Sequence, residues 1–230
     1  MTAGERAYVK IHPGVVRATH WINTVAMVIM IGSGWRIWNS DPIFDFSFPV
    51  AITIGGDPAL SQDVHNELGL AGALQWHFAG MWLLVVNGLV YVTYGILSGH
   101  FRHAFFPVGP TAFIRDALAA LTFRLPHQFG VYNAVQKTLY LGVLAAGVVM
   151  VLTGLAIWKP GQFQELASLF GGFATARLIH FLGMAAIVLF LFVHIALVVI
   201  VPKTLPTMIT GRAPAHEAEP ALDPLHGRPA

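Results

Sequence analysis

The chain contains no cysteine in its 230 residues. Disulfides, thiolate-held iron-sulfur clusters and covalent haem attachment through a C-x-x-C-H motif are therefore excluded. Charge is scarce as well. Asp, Glu, Lys and Arg make up 10% of the residues, whereas an ordinary soluble domain carries roughly a quarter. What fills the space is apolar: 56% of the residues are hydrophobic, and mean hydropathy is +0.66. That balance belongs to a membrane protein. No internal repeat is evident, no stretch reads as a second soluble domain, and a net charge of +2 gives no reason to invoke nucleic acid.

A helix needs roughly 20 apolar residues to cross about 30 Å of hydrocarbon. Four segments meet that length, Val16–Trp38, Ala73–Ser98, Asn133–Trp158 and Arg177–Val201. They predict an all-α fold, a four-helix transmembrane bundle. The first segment lacks an Ala-x-Ala cleavage site and carries His20 and Trp21 at its mouth, so it reads as a retained signal anchor. Arg6, Lys10 and Arg17 precede it, Arg102, Arg115, Arg124 and Lys137 lie between the second and third spans, and Lys203, Arg212 and Arg228 follow the fourth. Only Arg36, Lys159 and Arg177 fall on the other side. Cytoplasmic loops collect Lys and Arg, so both termini are expected in the cytoplasm. The loop between the first two spans, NSDPIFDFSFPVAITIGGDPALSQDVHNELG, holds five acidic residues and no Lys or Arg. It reads as a structured periplasmic cap. The organisation is thus an N-terminal segment 1–15, a membrane domain 16–211, and a tail 212–230 rich in Pro, Ala and charge that is expected to be disordered.

Ionisable residues inside a span are costly and mark function. His20 sits one turn inside the cytoplasmic end of the first span, and His77 one turn inside the periplasmic end of the second. His180 and His194 share the fourth span, fourteen positions apart. At about 100° and 1.5 Å per residue they return within roughly 40° of one direction after about 21 Å. They cannot share one ligand, yet each can pair at its own depth, His180 with His77 and His194 with His20. Two histidine pairs at two depths, without cysteine or an intramembrane carboxylate, suit two non-covalent b-type haems held between facing helices. Gly32, Gly34, Gly80, Gly88 and Gly183 would let the porphyrins approach backbone.

With RATHW on the first span, WHFAGMW on the second, and the His-x13-His pair on the fourth, the chain resembles the bacterial cytochrome b561-like membrane subunits. SGWRIWN and YNAVQKTLYLGVLAAGVVMVLTGLAIWKP are similar to the thiosulfate reductase cytochrome b branch, related to the cytochrome b subunits of nickel-iron hydrogenase and formate dehydrogenase. The likeness covers Val15 to Gly211. It implies haem ligands at His20, His77, His180 and His194. It also implies electron transfer across the membrane between the quinone pool and a periplasmic oxidoreductase, with catalysis in that partner chain: hydrogenase and formate dehydrogenase members serve iron-sulfur subunits, this branch also molybdenum enzymes, and the histidine pattern does not separate them.

Other features carry weaker expectations. Arg36 and Arg177 flank the periplasmic-side pair and Arg17 lies one turn from His20, so each could bind haem propionates. Asn23, Asn133, Gln136 and Lys137 make the cytoplasmic end the candidate quinone site. Asn87, in the middle of the second span, is expected to hydrogen-bond a neighbouring helix. His100 and His103, with i, i+3 spacing, read as solvated juxtamembrane residues, as do His12, His65, His127, His216 and His226. Small residues at Gly142 and Gly147 permit a homodimer. Two other functions compete. One is a self-contained quinone-reducing enzyme such as a superoxide oxidase, which the acidic first loop disfavours because it repels a small anion. The other is a non-redox proton relay or transporter subunit built on the same histidines.

Overall fold

The computed structural model describes residues 8–55, 72–122 and 132–215. The fold is all-α. Four helices are long and apolar enough to cross a membrane: α1 (Gly14–Ser40), α2 (Ala73–Leu97), α5 (Ala134–Trp158) and α7 (Phe173–Ile200). Between and after them lie short helices α3 (His100–Phe105), α4 (Pro110–Leu121), α6 (Gln164–Leu169) and α8 (Thr204–Thr210). A 3-10 turn at Val50–Ile52 and two short strands, β1 (Tyr8–Lys10) and β2 (Arg212–Pro214), complete the described elements.

The helix ends follow from local chemistry. Asn133 and Gln136 form a reciprocal capping box at the start of α5: the Gln136 amide donates to Asn133 Oδ1 at 2.9 Å, and the Asn133 amide to Gln136 Oε1 at 3.1 Å. The Ala134 amide donates to Asp116 Oδ2 at 2.9 Å, and this bond, ahead of the neighbouring Arg115, holds the Asp116 carboxyl below its ordinary range. Gly171 and Gly172, both at positive φ, turn the chain into α7. That helix begins four residues earlier than the apolar run starting at Arg177, because Phe173–Ala176 extend it toward this turn.

The chain divides into two compact units. The first comprises Met1–Ala18, Val90–Val148 and Leu189–Ala230. In it β1 pairs antiparallel with β2, Val9 opposite Ala213, and Ile11 and Ala213 are buried together. This corrects the expected tail: residues 212–214 are a paired strand, because Gly211 turns the chain at φ 78° and the small Ala213 fits against Ile11. The rest of that tail, 216–230, lies outside the described residues. Arg17 donates from Nη1 to the Ile209 carbonyl and packs on Gly211, tying the start of α1 to the chain just before β2. The same unit holds an aromatic cluster in which Phe105 meets Phe101, Tyr132 and Tyr140.

The second unit comprises Thr19–Leu89 and Val149–Val188. The start of the first interspan loop is structured, and Trp38 anchors it. Its ring stacks on Phe181 at 4.2 Å and touches Phe44 and Phe46, while Nε1 donates to the Phe46 carbonyl. Asn39 grips the backbone of Phe48 from both sides, and Phe48 stacks on Trp35 at 4.7 Å. The loop then reaches Gly32, whose carbonyl accepts from the Ile54 amide. The remainder, 56–71, lies outside the described residues. Arg177 and Asp41 pair at 2.8 Å, joining the first turn of α7 to the end of α1. Deeper in the unit, Asn87 Nδ2 donates to the Thr19 carbonyl at 2.8 Å and to Asn23 Oδ1 at 2.7 Å, the interhelical bond expected of it.

Asn87 is 5% exposed, so its loss strands two buried acceptors on α1. Asn87→Leu is expected to lower unfolding stability in detergent by about 1 kcal/mol, the scale of interhelical polar bonds in membranes. An unchanged unfolding midpoint would contradict this packing role.

Candidate functional site

His77 on α2 and His180 on α7 meet inside the second unit, with ring centres 6.5 Å apart and ring planes inclined by 62°. Each ring is held in the same way. Ser33 on α1 donates its hydroxyl hydrogen to the Ile29 carbonyl at 2.6 Å, and its oxygen lies 3.0 Å from His77 Nδ1. Thr153 on α5 donates to the Val149 carbonyl at 2.7 Å, and its oxygen lies 2.9 Å from His180 Nδ1. The backbone carbonyls of Met30 and Met150 are second partners of the two rings. A carbonyl accepts and never donates. With each hydroxyl hydrogen committed to a helix carbonyl, each Nδ1 is placed to donate to the hydroxyl oxygen, which leaves each Nε2 its lone pair.

That donor set fits a metal ion held between two imidazoles. An imidazole nitrogen bonds a first-row metal ion at about 2 Å, so two imidazoles on opposite sides of one ion have ring centres about 6 Å apart. Metal-bound histidines also characteristically donate their other N–H to an oxygen. Space is kept beside the rings: a Cβ at Gly34 would stand 3.5 Å from His77 Cε1, and one at Gly154 would stand 3.4 Å from His180 Cε1. Gly88 lies eleven residues beyond His77 on nearly the same helix face, and a Cβ there would meet nothing within 4 Å. Close by, Arg36 is 5% exposed, and the buried Trp35 Nε1–H has no hydrogen-bond partner among the described residues. That orphaned donor suits an acidic group of a bound cofactor.

Three of the expected porphyrin-facing glycines have another task. A Cβ at Gly32 would stand 2.7 Å from Ile54 Cγ1, so Gly32 receives the loop. At Gly80 it would meet Ile29 and Met30, and at Gly183 the Met150 sulfur at 2.7 Å. These glycines bring α2 against α1 and α7 against α5.

His20 and His194 are described in separate units. The His20 ring meets Trp21 edge-on at 5.1 Å, and its carbonyl accepts from Thr24. The His194 ring stacks on Phe190 at 5.9 Å. Of the three arginines, Arg17 is bonded to Ile209 and Arg177 to Asp41, and Arg36 is buried. The quinone candidates are also engaged: Asn133 and Gln136 cap α5, and Asn23 accepts from Asn87. Lys137 lies in the first turn of α5, its amide bonded to the Asn133 carbonyl. His65, His127, His216 and His226 lie outside the described residues.

His100 is not a solvated residue. Its ring packs near Tyr94, Phe101 and Phe105, because Gly99 in the left-handed region turns α3 back on the end of α2. Burial, and then the neighbouring His103, lower its pKa from 6.5. The folded state thus resists a proton that the unfolded chain accepts. His100 contributes stability in full above pH 6.5 and loses it as pH falls below. The drop in unfolding midpoint between about pH 7.5 and pH 5 is expected to shrink in His100→Phe. An unchanged drop would contradict the buried neutral imidazole.

Residues 11–211 match the model of the family described as prokaryotic cytochrome b561. A protein of Azospira oryzae, provisionally named protein-methionine-sulfoxide reductase subunit YedZ1, is 48% identical over 202 residues, covering 87% of this chain and 96% of the relative. Two proteins provisionally named Ni/Fe-hydrogenase B-type cytochrome subunits are more distant. That of Bradyrhizobium diazoefficiens is 24% identical, covering 84% of this chain and 80% of the relative. That of Cupriavidus necator is 22% identical, covering 80% and 76%.

Proposed function

We propose a function from one premise: the chain belongs to the prokaryotic cytochrome b561 family. It is a multi-pass membrane protein and a haem-binding electron-transfer subunit. Beyond that, our reading is that the subunit lies in a bacterial inner membrane and carries two haems b. One is held by His77 and His180, the other by His20 and His194. The facing His77–His180 pair, with both Nδ1 protons committed to oxygen atoms, is the observation that carries this reading.

A bound haem b supplies a one-electron ferric/ferrous couple. The chain supplies the rest. His77 and His180 present their Nε2 lone pairs, Ser33 and Thr153 hold the rings against rotation, and Gly34 and Gly154 keep the ring edges clear. Arg36 would offset the charge of the propionates, and the Trp35 indole N–H would donate to one of them. His194 lies about four helical turns from His180 along α7, so a second haem at that depth would let one-electron transfer reach the other membrane surface.

The partner is a separate oxidoreductase. The relative at 48% identity, matched over nearly its whole length, is named a protein-methionine-sulfoxide reductase subunit. By that likeness, this chain passes electrons from quinol to a periplasmic subunit that reduces methionine sulfoxide in proteins. Quinol oxidation releases two electrons and two protons, and reduction of a sulfoxide to a thioether and water consumes two of each. A molybdopterin-dependent partner, as the family resemblance implies, suits removal of an oxygen atom from sulfur. The quinone link rests on the family and the stoichiometry, since Asn23, Asn133 and Gln136 already serve the fold.

The test is a dithionite-reduced minus oxidised visible spectrum with haem per chain quantified. The wild type is expected to carry two b haems, and His77→Ala and His194→Ala about one each. A well-folded, haem-supplied protein with a featureless spectrum would overturn the reading and return the histidines to a proton relay. For the partner, membranes containing the subunit and its catalytic chain are expected to couple quinol oxidation to reduction of methionine sulfoxide. Haem reduction by hydrogen gas instead would favour the hydrogenase relatives.

A further inference from the structure

The surroundings of the two rings repeat. On α1 the run Met30-Ile31-Gly32-Ser33-Gly34 places a carbonyl, a hydroxyl and a bare Cα against His77, and on α5 the run Met150-Val151-Leu152-Thr153-Gly154 places the same three groups against His180. In both runs the hydroxyl donates to the carbonyl four residues back, and its oxygen meets Nδ1, at 3.0 and 2.9 Å. In both, the methionine three residues before the hydroxyl offers its carbonyl to the ring. The partner helices repeat too. Gly80 stands three residues after His77 and would meet Met30, and Gly183 stands three after His180 and would meet Met150. The motif M-x-x-[ST]-G facing H-x-x-G therefore occurs twice, once between α1 and α2 and once between α5 and α7.

We infer that this duplicated module is an internal two-fold device in which Ser33 and Thr153, as positioning residues, contribute equally and independently to the potential of the haem between His77 and His180. The inference rests on the ligand assignment proposed above. The physical basis is direct. A hydroxyl whose hydrogen is committed to a backbone carbonyl can only accept from Nδ1–H, and accepting that bond raises the basicity of the ring at Nε2. A more basic ligand favours ferric over ferrous iron, so each hydroxyl lowers the potential. The Met30 and Met150 carbonyls remain as acceptors when a hydroxyl is removed, which keeps each effect moderate. Because the two hydroxyls lie on different helices and act on different rings, their effects should add.

The measurement is a spectroelectrochemical titration of the holoprotein for Ser33→Ala, Thr153→Val and the double variant, beside the swaps Ser33→Thr and Thr153→Ser. Each single deletion is expected to shift one haem's ferric/ferrous equilibrium about three- to tenfold toward ferrous, roughly 30 to 60 mV upward for one electron. The two shifts should match, and the double variant should show their sum. The swaps should stay at the wild-type potential with two haems per chain. Loss of one haem in Ser33→Ala with retention in Ser33→Thr would also support the positioning role. Unmoved potentials in both deletions, a shift in only one, or haem loss in the swaps would overturn the inference. His77→Ala separates this failure from that of the ligand assignment: if that variant keeps two haems, the assignment itself is wrong.

Discussion

Everything in the second unit turns on placing two imidazoles inside hydrocarbon with their polar atoms satisfied. A ring nitrogen without a partner costs free energy at that depth. The structure meets the cost at Nδ1 with a hydroxyl and a backbone carbonyl on each ring, and in doing so it dictates the tautomer at Nε2. Ser33 and Thr153 can serve because they sit mid-helix, where a hydroxyl bonds the carbonyl of the preceding turn without breaking the helix. The constraint reaches the glycines as well. Only with Gly80 and Gly183 bare can the helices approach closely enough for a short serine or threonine side chain to touch a histidine on its neighbour.

The rest of the second unit steadies this contact. The loop after α1 folds back on Trp38, Trp35 and Gly32, and the Arg177–Asp41 pair ties the ends of α1 and α7, the helices that carry Ser33 and His180. Asn87 adds a buried polar link between α1 and α2 below His77. A side chain that positions a redox centre through one hydrogen bond needs such rigidity, because a displacement of a few tenths of an ångström would weaken it.

Much of this was legible in the sequence. The four spans emerge from apolar run length alone, and the histidines stand out because charge is so rare inside them. Asn87 was readable for the same reason: a lone amide in an apolar helix must find a partner. The hydroxyls were not. Ser33 and Thr153 look like ordinary small residues in a span, and only the contact to Nδ1 shows their use, although the paired runs MIGSG and MVLTG were a signal in plain view. Glycines were recognised as close-approach positions, yet their partners, Ile54, Met30 and Met150, depend on which helices adjoin. Two of the polar residues at the cytoplasmic end, Asn133 and Gln136, form a capping box, a motif whose N-x-x-Q spacing was visible at the start of the third span. The β1–β2 pairing is not legible because a three-residue strand in a Pro- and Ala-rich tail carries no periodicity to read.

The most direct test of the account is the low-temperature electron paramagnetic resonance spectrum of the oxidised holoprotein, recorded beside that of His77→Ala. Two ligand rings inclined by 62° would leave the π-type orbitals of a bound iron nearly equal in energy and would spread the g values of a low-spin ferric centre widely. The account predicts one such strongly anisotropic signal in the wild type and its disappearance in His77→Ala, with the other haem's signal retained. A spectrum showing only centres with near-parallel ligand planes, or one unchanged by His77→Ala, would contradict the assignment of His77 and His180 as a single haem's ligand pair.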